Sequence, residues 1–570
     1  MIKNSVIKAI VITFLIYVLA SWIIPGGSFQ NGIFTKGDTT PVGISDLFIY
    51  PISTSITSIF VLTAIIILLI GGLYGVMNKT GVYQNIVEGT AKKFKGSEKR
   101  FLVISILVFA ILASLTTLTL PLLILVPFFV AVILTLGFNK MTALLSTIGA
   151  ILVGNMGAMF GYNVDGYNFI NYFFGLKSTE NIGLKVLLFV LLTGVLVFYV
   201  LKTSDSTKTT SSSVELEKST KSRLITSVLA ICLGTFGAHR FYTGKTKTGL
   251  LYLFTIGLFG IGYIIDVVYT LCGIFTDSDN KLVYFWTTEE MKKYKKTAKK
   301  TAKKSPKKEA NEEIVIPLYT KEKASKKSAT PLVVVAIITV VIALVAMFNW
   351  AGALGTEKTI FDTWYTNITN AKINGYPLFA NLLGSVKALG YWTNYELAML
   401  LMVAILVIGF MYNLKFKDTY EAAVEGMKEM LPVAVVAVLA NILLLVVNSA
   451  ASSFIPTIYN SLFKMTKEFN FMTMSLAAMV GSVGYSQFPY LINSLYDPEN
   501  ALYAKSLSEV AFTLQAMHGF TMMLVPTSVG LVVGLKYLGI SYKEWLKDNW
   551  RLLLSLFATA LIVIIIVTLV

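Results

Sequence analysis

The sequence predicts an all-α polytopic membrane protein: two structurally repeated halves with re-entrant or broken helices, plus an inserted transmembrane helical hairpin. Three observations predict it. Of 570 residues, 55% are hydrophobic and 14% charged, where a soluble domain carries roughly 25% charged residues; mean hydropathy is +0.70. Apolar runs near the ~20 residues needed to cross a bilayer recur along the chain. Two distant stretches also carry the same residues in the same order. A soluble enzyme, a disordered chain and a disulfide scaffold all fit poorly. Cys232 and Cys272 sit in apolar runs as packing residues, and two histidines, His239 and His518, give little scope for a metal site. The net charge of +17 concentrates beside apolar runs, where lysine marks the cytoplasmic side rather than a nucleic-acid surface.

The runs lie at 5–24, 57–78, 101–120, 122–138, 142–160, 183–201, 224–238, 249–272, 331–349, 397–414, 430–448 and 551–570, with two less apolar ones at 470–492 and 507–536. The first follows only Lys3 and Lys8 and lacks a small-residue cleavage site, so it reads as a retained signal-anchor. Those lysines place the N-terminus in the cytoplasm. Residues 25–56 hold one lysine and two aspartates and lie outside. Segment 79–100, with Lys79, Lys92, Lys93, Lys95, Lys99 and Arg100, lies inside, and 161–182 outside.

Five regions follow: a first transporter repeat (1–204), a Ser/Thr-rich linker (205–222), an inserted two-helix domain (223–275), a Lys-rich cytoplasmic linker (276–330) and a second repeat (331–570). The second linker holds ten lysines and no acid over 291–308, a block that repels itself and stays extended. It suits either anionic lipid headgroups or a solvated spacer. Between the linkers, Gly237-Ala238-His239-Arg240-Phe241-Tyr242 forms a tight loop and Asp266 follows in the second apolar run. A lone acid there is expensive, so pairing with Arg240 reads as a hairpin-closing contact. The loop and both flanks are basic, so charge does not orient the hairpin.

The repeat rests on three matches. YQNIVEG (83–89) matches YEAAVEG (420–426), and Phe138-Asn139-Lys140-Met141-Thr142 matches Phe469-Asn470-Phe471-Met472-Thr473. Between these anchors lie ASLTTLTLP (113–121) and NSAASSFIP (448–456), both hydroxyl-rich and ending in proline. Transporters built from two repeats place substrate at the midplane, where broken helices meet. These proline-ended stretches are expected to be the breaks, facing one another. Whether the repeats are inverted stays open.

Several stretches resemble one family. LASWIIPGGSF (19–29), IGGLYGVMNKTGVY (70–83), MLVPTSVGLVVGLKYLGISYKEWLK (523–547) and the V-E-G segments resemble the anaerobic four-carbon dicarboxylate carriers. The nearest branch is the basic amino-acid antiporter-like group of the ion transporter superfamily. The likeness covers roughly 1–200 and 331–570; its most specific part is Pro526-Thr527-Ser528 followed by Gly539-Ile540-Ser541-Tyr542 and Trp545. It implies a secondary carrier with two hairpin loops at its site and one domain sliding against a scaffold. Met517-His518-Gly519 departs from the glycine–aspartate pair of relatives, and GSVGYSQFP (481–489) departs from a stretch of smaller residues. The insert resembles the small two-helix transmembrane domains that carry a G-x-x-x-x-Y loop and an I-D pair.

An organic anion must exchange its water for hydroxyls, amides and backbone N–H groups at broken helix ends. The candidates are Ser114, Thr116 and Thr117 in the first half, and Asn448, Ser449, Ser452 and Ser453 in the second. Asn155, Asn163, Ser486, Gln487, Thr527 and Ser528 come from helices expected to face those tips. For each hydroxyl, back-bonding to its own helix competes. His518, in an apolar run, is the coupling candidate, since imidazole titrates near neutrality. No resident cofactor or metal is expected; Na⁺ or H⁺ is the candidate coupling ion. The expected function is secondary active transport, as symporter or exchanger, of small organic anions or amino acids across the cell membrane, with no enzyme motif visible. The alternative is a carrier-derived membrane scaffold or sensor whose inserted hairpin recruits a partner. Expected partners are the lipid bilayer and the substrate, with a homodimer left open.

Overall fold

Apolar runs become helices because in hydrocarbon every backbone N–H and C=O must be bonded within its own segment. The computed structural model describes residues 5–30, 33–43, 45–46, 49, 57–164, 167–204, 218–259, 261–271, 273, 275–279, 281–287, 290, 315–320, 325, 327–449, 453–466, 469–495 and 505–569. In chain order, α1 (Ser5–Ile23) leads through an antiparallel ribbon, β1 (Gly27–Gln30) and β2 (Ile33–Lys36), to α2 (Thr57–Lys79). Amphipathic α3 (Tyr83–Phe94) precedes α4 (Glu98–Thr116), which turns back into α5 (Thr119–Thr135). Then come α6 (Lys140–Met156) and α7 (Ile182–Thr203). The insert contributes α8 (Arg223–Phe236), α9 (Ala238–Tyr242), α10 (Thr246–Phe259) and α11 (Ile261–Leu271). The second half holds α12 (Thr330–Met347), α13 (Asn394–Met411), α14 (Phe416–Ser449) and α15 (Ile455–Phe463), then α16 (Phe471–Gly484) and α17 (Phe488–Leu495). Finally α18 (Leu507–Thr521), α19 (Val529–Leu538) and α20 (Tyr542–Leu569) close the chain.

Among the described residues, eight helices are long and apolar enough to cross a membrane: α1, α2, α4, α7, α12, α13, α14 and α20. Four other runs do not become single spans. Run 122–138 lies within the returning arm of a hairpin, and 142–160 ends as a helix at Met156 after a π-helical turn at Leu145–Gly149. Runs 470–492 and 507–536 each break into two helices. At the second of those breaks Thr527 and Ser528 supply side-chain bonds that a spanning helix would not need. The lysines gather at one end. Lys99 Nζ donates to Leu201 O at 2.9 Å, Tyr199 Oη to Asp548 O at 2.7 Å, and Tyr542 N–H to Ser5 Oγ at 2.8 Å. The starts of α1, α4 and α20 and the end of α7 therefore share one lysine-rich end.

The frame is centred on α2 crossing α14. Gly71 and Gly75 on α2 meet Ala422 and Gly426 on α14, a small-residue spacing of four on each helix that lets backbones touch. A Cβ on Gly71 would lie 2.5 Å from Gly426 O, and one on Gly75 or Gly426 would overlap Ala422 O or Gly71 O outright. The other V-E-G glycine, Gly89, has nothing within 4 Å of a Cβ position. The two matching motifs thus occupy unlike surroundings.

Neither apolar run of the insert forms one spanning helix. Both fold back, so the loop and the flanks meet at one end: Ser278 N–H donates to Thr243 O at 3.0 Å, and Lys245 Nζ to Thr276 Oγ1 at 2.9 Å. This removes the conflict of a basic loop between basic flanks, because all three lie on the same side. Asp266 is 2% exposed. It accepts from Arg240 Nε at 2.5 Å and Nη2 at 2.9 Å, and lies 2.7 Å from His239 Nε2. Arg240 also lies over the Tyr252 ring at 4.0 Å. Removing one partner of a buried ion pair strands the other, at roughly 3–5 kcal/mol. Asp266→Asn is therefore expected to unfold the insert while leaving the frame intact, read as protease cleavage confined to 219–286 in the purified protein.

The segment read as a Lys-rich cytoplasmic linker (276–330) is bonded to folded elements at both described ends. Asp277 Oδ1 accepts from the N–H groups of Asp279 and Lys281, both at 2.9 Å, and Ser219 N–H donates to Leu282 O at 2.7 Å. This fastens 276–286 to the insert. At the other end Leu318, 2% exposed with φ +53°, donates its N–H to Glu429 Oε1 at 2.7 Å. Its carbonyl accepts from Asn78 Nδ2 at 3.0 Å. Gln84 Nε2 donates to Thr320 O at 2.5 Å, and Tyr537 Oη to Pro317 O at 3.1 Å. Side chains of α2, α3, α14 and α19 satisfy the backbone of this turn, so it stays bound. The ten-lysine block at 291–308 lies outside the described residues.

Candidate functional site

The chain turns sharply at Thr117-Leu118 because hydroxyls replace the helical ladder there. Ser114 Oγ donates to Gly157 O at 2.5 Å, Met159 N–H to Ser114 O at 2.8 Å, and Thr116 Oγ1 back-bonds to Leu112 O at 2.7 Å. Thr117 takes φ +57°, a left-handed conformation costing a β-branched residue of order 1–3 kcal/mol. Such strain persists only where surroundings over-determine it. The α4–α5 hairpin is so clamped to the end of α6.

A second hairpin, α16 turning into α17 through Tyr485-Ser486-Gln487, points its turn at the first. Gly481 packs against Leu491 across it. The break between α18 and α19 completes the enclosure: Ser528 caps α19, its Oγ accepting from Leu531 N–H at 3.5 Å, and Thr527 Oγ1 donates to Val483 O at 3.1 Å. Between the two turns and two helix ends lies a cavity of about 190 Å³. Thr117, Asn155, Ser486, Gln487, Ser528 and His518 line it, with Thr119, Tyr162 and Phe488. Thr63 of α2, Met347 of α12 and Asn394 of α13 reach it from the frame.

Two fully buried polar atoms in this lining lack a hydrogen-bond partner among the described residues. Asn155 gives Nδ2 to Thr119 Oγ1 at 3.2 Å and keeps Oδ1 unpaired; Ser486 Oγ is unpaired too. Both residues are buried. Leaving such a group unsatisfied costs about 1–3 kcal/mol, which an occupant bonding to them recovers. His518 is wedged by aromatic rings: Tyr162 at 5.6 Å and Phe488 at 5.2 Å, themselves stacked at 4.4 Å.

Six sequence-chosen residues therefore meet at the cavity, and Ser114, Thr116, Ser453 and Thr527 do not line it. Ser114, Thr116 and Thr527 spend their hydroxyls on backbone carbonyls that build the turns. Ser453 sits behind the second hairpin: its carbonyl accepts from Gly27 N–H at 3.1 Å, its Oγ accepts from Ile455 N–H at 3.2 Å, and its side chain bonds toward Tyr17 and Tyr485. Of the expected second wall, 448–456, the described side chains of Ser453 to Pro456 do not line the cavity, and the turn that does is 485–487. Pro456 opens α15, where a missing N–H costs nothing, and does not break a helix at the cavity. Ser452 lies outside the described residues. Asn448 and Ser449 fall in α14 and Asn163 in a two-residue strand, with side chains outside what is described. The sequence reading missed Thr63, Tyr162, Met347 and Asn394. Asn394 alone had a local signal, the capping box Thr393-x-x-Glu396, in which Glu396 Oε2 accepts from Thr393 N–H at 2.7 Å.

Comparison with known proteins bears on this arrangement directly. Residues 254–569, more than half of the chain, match the C4-dicarboxylate anaerobic carrier family. The chain belongs to that family. The match contains the second hairpin, both helices of the Pro-Thr-Ser break and the frame helices α12–α14. A member of that family with eight long apolar helices among its described residues, this chain is a multi-pass membrane protein. Residues 219–268 match the TM2 domain. Three TM2 domain-containing proteins of Dictyostelium discoideum are similar to the insert alone. They are 62% identical over 39 residues (7% of this chain, 28% of the relative), 49% over 49 (9% and 32%) and 44% over 50 (9% and 31%). The chain spans under a third of the length of each. No solved structure matches.

Proposed function

We propose that this carrier moves small dicarboxylate anions across the cell membrane through the cavity between the two hairpin turns, with the N-terminus and the lysine-rich end in the cytoplasm. The observation that carries the reading is the unpaired Ser486 hydroxyl, a donor for a carboxylate, at the meeting point of two hairpins in a member of a dicarboxylate carrier family. A cavity of about 190 Å³ is smaller than the roughly 300–1,000 Å³ of drug-sized pockets, which favours a substrate of few heavy atoms. Hydroxyls of Thr117, Ser486 and Ser528 and the Gln487 amide would replace the water of its carboxylates. Residues of the frame and of the hairpins share the lining, so substrate contact is sensitive to movement between them.

The test is exchange of labelled succinate in proteoliposomes, with a panel of other organic acids and amino acids as competitors. Exchange with preference for four-carbon dicarboxylates is expected, and no exchange of any organic acid or amino acid overturns the reading. Asn155→Leu keeps the volume while removing both amide functions and the bond to Thr119. It is expected to raise the half-saturating substrate concentration about 5- to 150-fold, from the 1–3 kcal/mol of a lost buried partner. An unaltered affinity in that variant removes Asn155 from the site.

A further inference from the structure

The cavity holds no formally charged side chain, although its proposed cargo is an anion. Of its lining residues, His518 and Tyr162 are the titratable ones. Elements packed on α18 near His518 offer nothing closer. Helices α16 and α17 contain no Asp, Glu, Lys or Arg, and their titratable groups are the phenols of Tyr485, at the turn between them, and Tyr490. Lys140 opens α6, fifteen residues before Asn155 and roughly 22 Å along the helix. Glu509 precedes His518 by nine residues, roughly 13 Å. Tyr172 sits in the short helix Phe169–Phe174. On α20, Lys543, Glu544, Lys547, Asp548 and Arg551 all precede Phe557, the residue whose ring meets Phe520 at 5.1 Å.

The orientation of the imidazole is set by Ser482. That hydroxyl lies 2.6 Å from Ala478 O and 2.9 Å from His518 Nδ1. A serine hydroxyl has one hydrogen, and the shorter contact to the carbonyl takes it. Ser482 Oγ must then accept, so Nδ1 carries the ring hydrogen. In the neutral ring Nε2 is a lone-pair acceptor, and it has no protein partner among the described residues. An empty acceptor in a cavity without cations repels a bare dianion.

We propose, on the reading that this cavity binds dicarboxylate, that His518 is the residue that admits one proton with each substrate. A singly protonated dicarboxylate enters; its carboxyl O–H bond breaks, an Nε2–H bond forms, and the resulting imidazolium pairs with the carboxylate just released. Charge in the cavity is conserved at one negative unit through that step. Nδ1–H continues to donate to Ser482 Oγ, and Nε2–H now donates to substrate, so both ring hydrogens are satisfied. The protein supplies a cation only when an anion is present to share it, which avoids leaving an uncompensated buried charge in the empty carrier. Tyr162 and Phe488 hold the ring edge toward the cavity and exclude water from it.

The experiment uses full-length carrier in proteoliposomes loaded with a pH-sensitive dye, following labelled succinate and internal pH together. By linkage, one proton bound per substrate raises apparent affinity by at most about tenfold per pH unit as pH falls. Wild type is expected to approach that slope between pH 8 and 6 and, in vesicles that hold no internal dicarboxylate, to acidify the lumen in step with net uptake. His518→Gln is expected to lower exchange and to flatten the slope in whatever exchange remains, with no lumenal acidification. Ser482→Ala frees the ring tautomer while deleting only a hydroxyl, so it is expected to fold and to show a shallower slope than wild type. Proton movement and slope in both variants equal to wild type would overturn the assignment. Succinate exchange by wild type with an apparent affinity that does not change between pH 8 and 6 would overturn it too, while leaving the transport reading intact. Absence of all exchange would defeat the transport reading first.

Discussion

Gly426→Ala is expected to prevent stable assembly of the carrier, whereas Gly89→Ala, in the same V-E-G motif, is expected to be harmless or mildly stabilising. The added Cβ at Gly426 would meet the backbone oxygen of Gly71 and the Cα of Gly75. No side-chain rotation relieves overlap with backbone, so α2 and α14 must separate along their whole contact. Packed interiors resist such insertion at about 1–3 kcal/mol or more per site, and here the strain spreads through the central pair of the frame. At Gly89 nothing stands within 4 Å, and alanine gains up to about 1 kcal/mol of helix propensity. Detergent-extracted yield and the midpoint of thermal unfolding compare the two directly. Equal midpoints would show that the crossing is not held by glycine contact.

What the sequence made legible follows from which forces are local. Helix existence was readable, because hydrocarbon imposes one backbone solution on every long apolar run. The insert was readable from Gly237 to Tyr242 and Asp266, because a buried acid demands a partner and Arg240 stands within reach. The first hairpin turn was readable from Ser114 to Thr117, since hydroxyls crowded beside a proline signal an irregular backbone. The second turn was misplaced. Residues 448–456 look more like a break than 485–487 do, but Ser453, described there, answers to β1 and Tyr17, partners remote in the chain. The Gly71/Gly75 and Ala422/Gly426 spacing was visible as letters and informative only once the two helices were known to cross. Thr63 and Met347 carry no local signal at all, since their place at the cavity comes from the tertiary position of α2 and α12.

Deleting 205–314 and joining the ends with about fifteen Gly/Ser residues is expected to leave the carrier halves folded, whereas extending the deletion to 330 is expected to destroy them. A linker of that composition spans roughly 20 Å on average, so chain connectivity is preserved in both designs. Between the insert and the frame the described contacts are sparse, chiefly Tyr269 Oη donating to Arg100 O at 3.3 Å and Arg100 5.9 Å from the Tyr269 ring. Few contacts of that kind hold two folded units together rigidly. Residues 317–327 behave otherwise. Their backbone satisfies Asn78, Gln84, Asn85, Glu429 and Tyr537, and Lys327 Nζ donates to Tyr412 O at 2.6 Å. Removing them takes the Leu318 N–H donor from Glu429 and the Leu318 carbonyl acceptor from Asn78 Nδ2, at about 1–3 kcal/mol per orphaned group. It also uncovers Tyr83, whose ring lies 6.0 Å from Tyr319. Size-exclusion profiles and thermal midpoints of the two deletions separate the possibilities. Equal stability would mean that 317–327 rests on the frame without supporting it, and loss of both would mean that the insert packs into the carrier core.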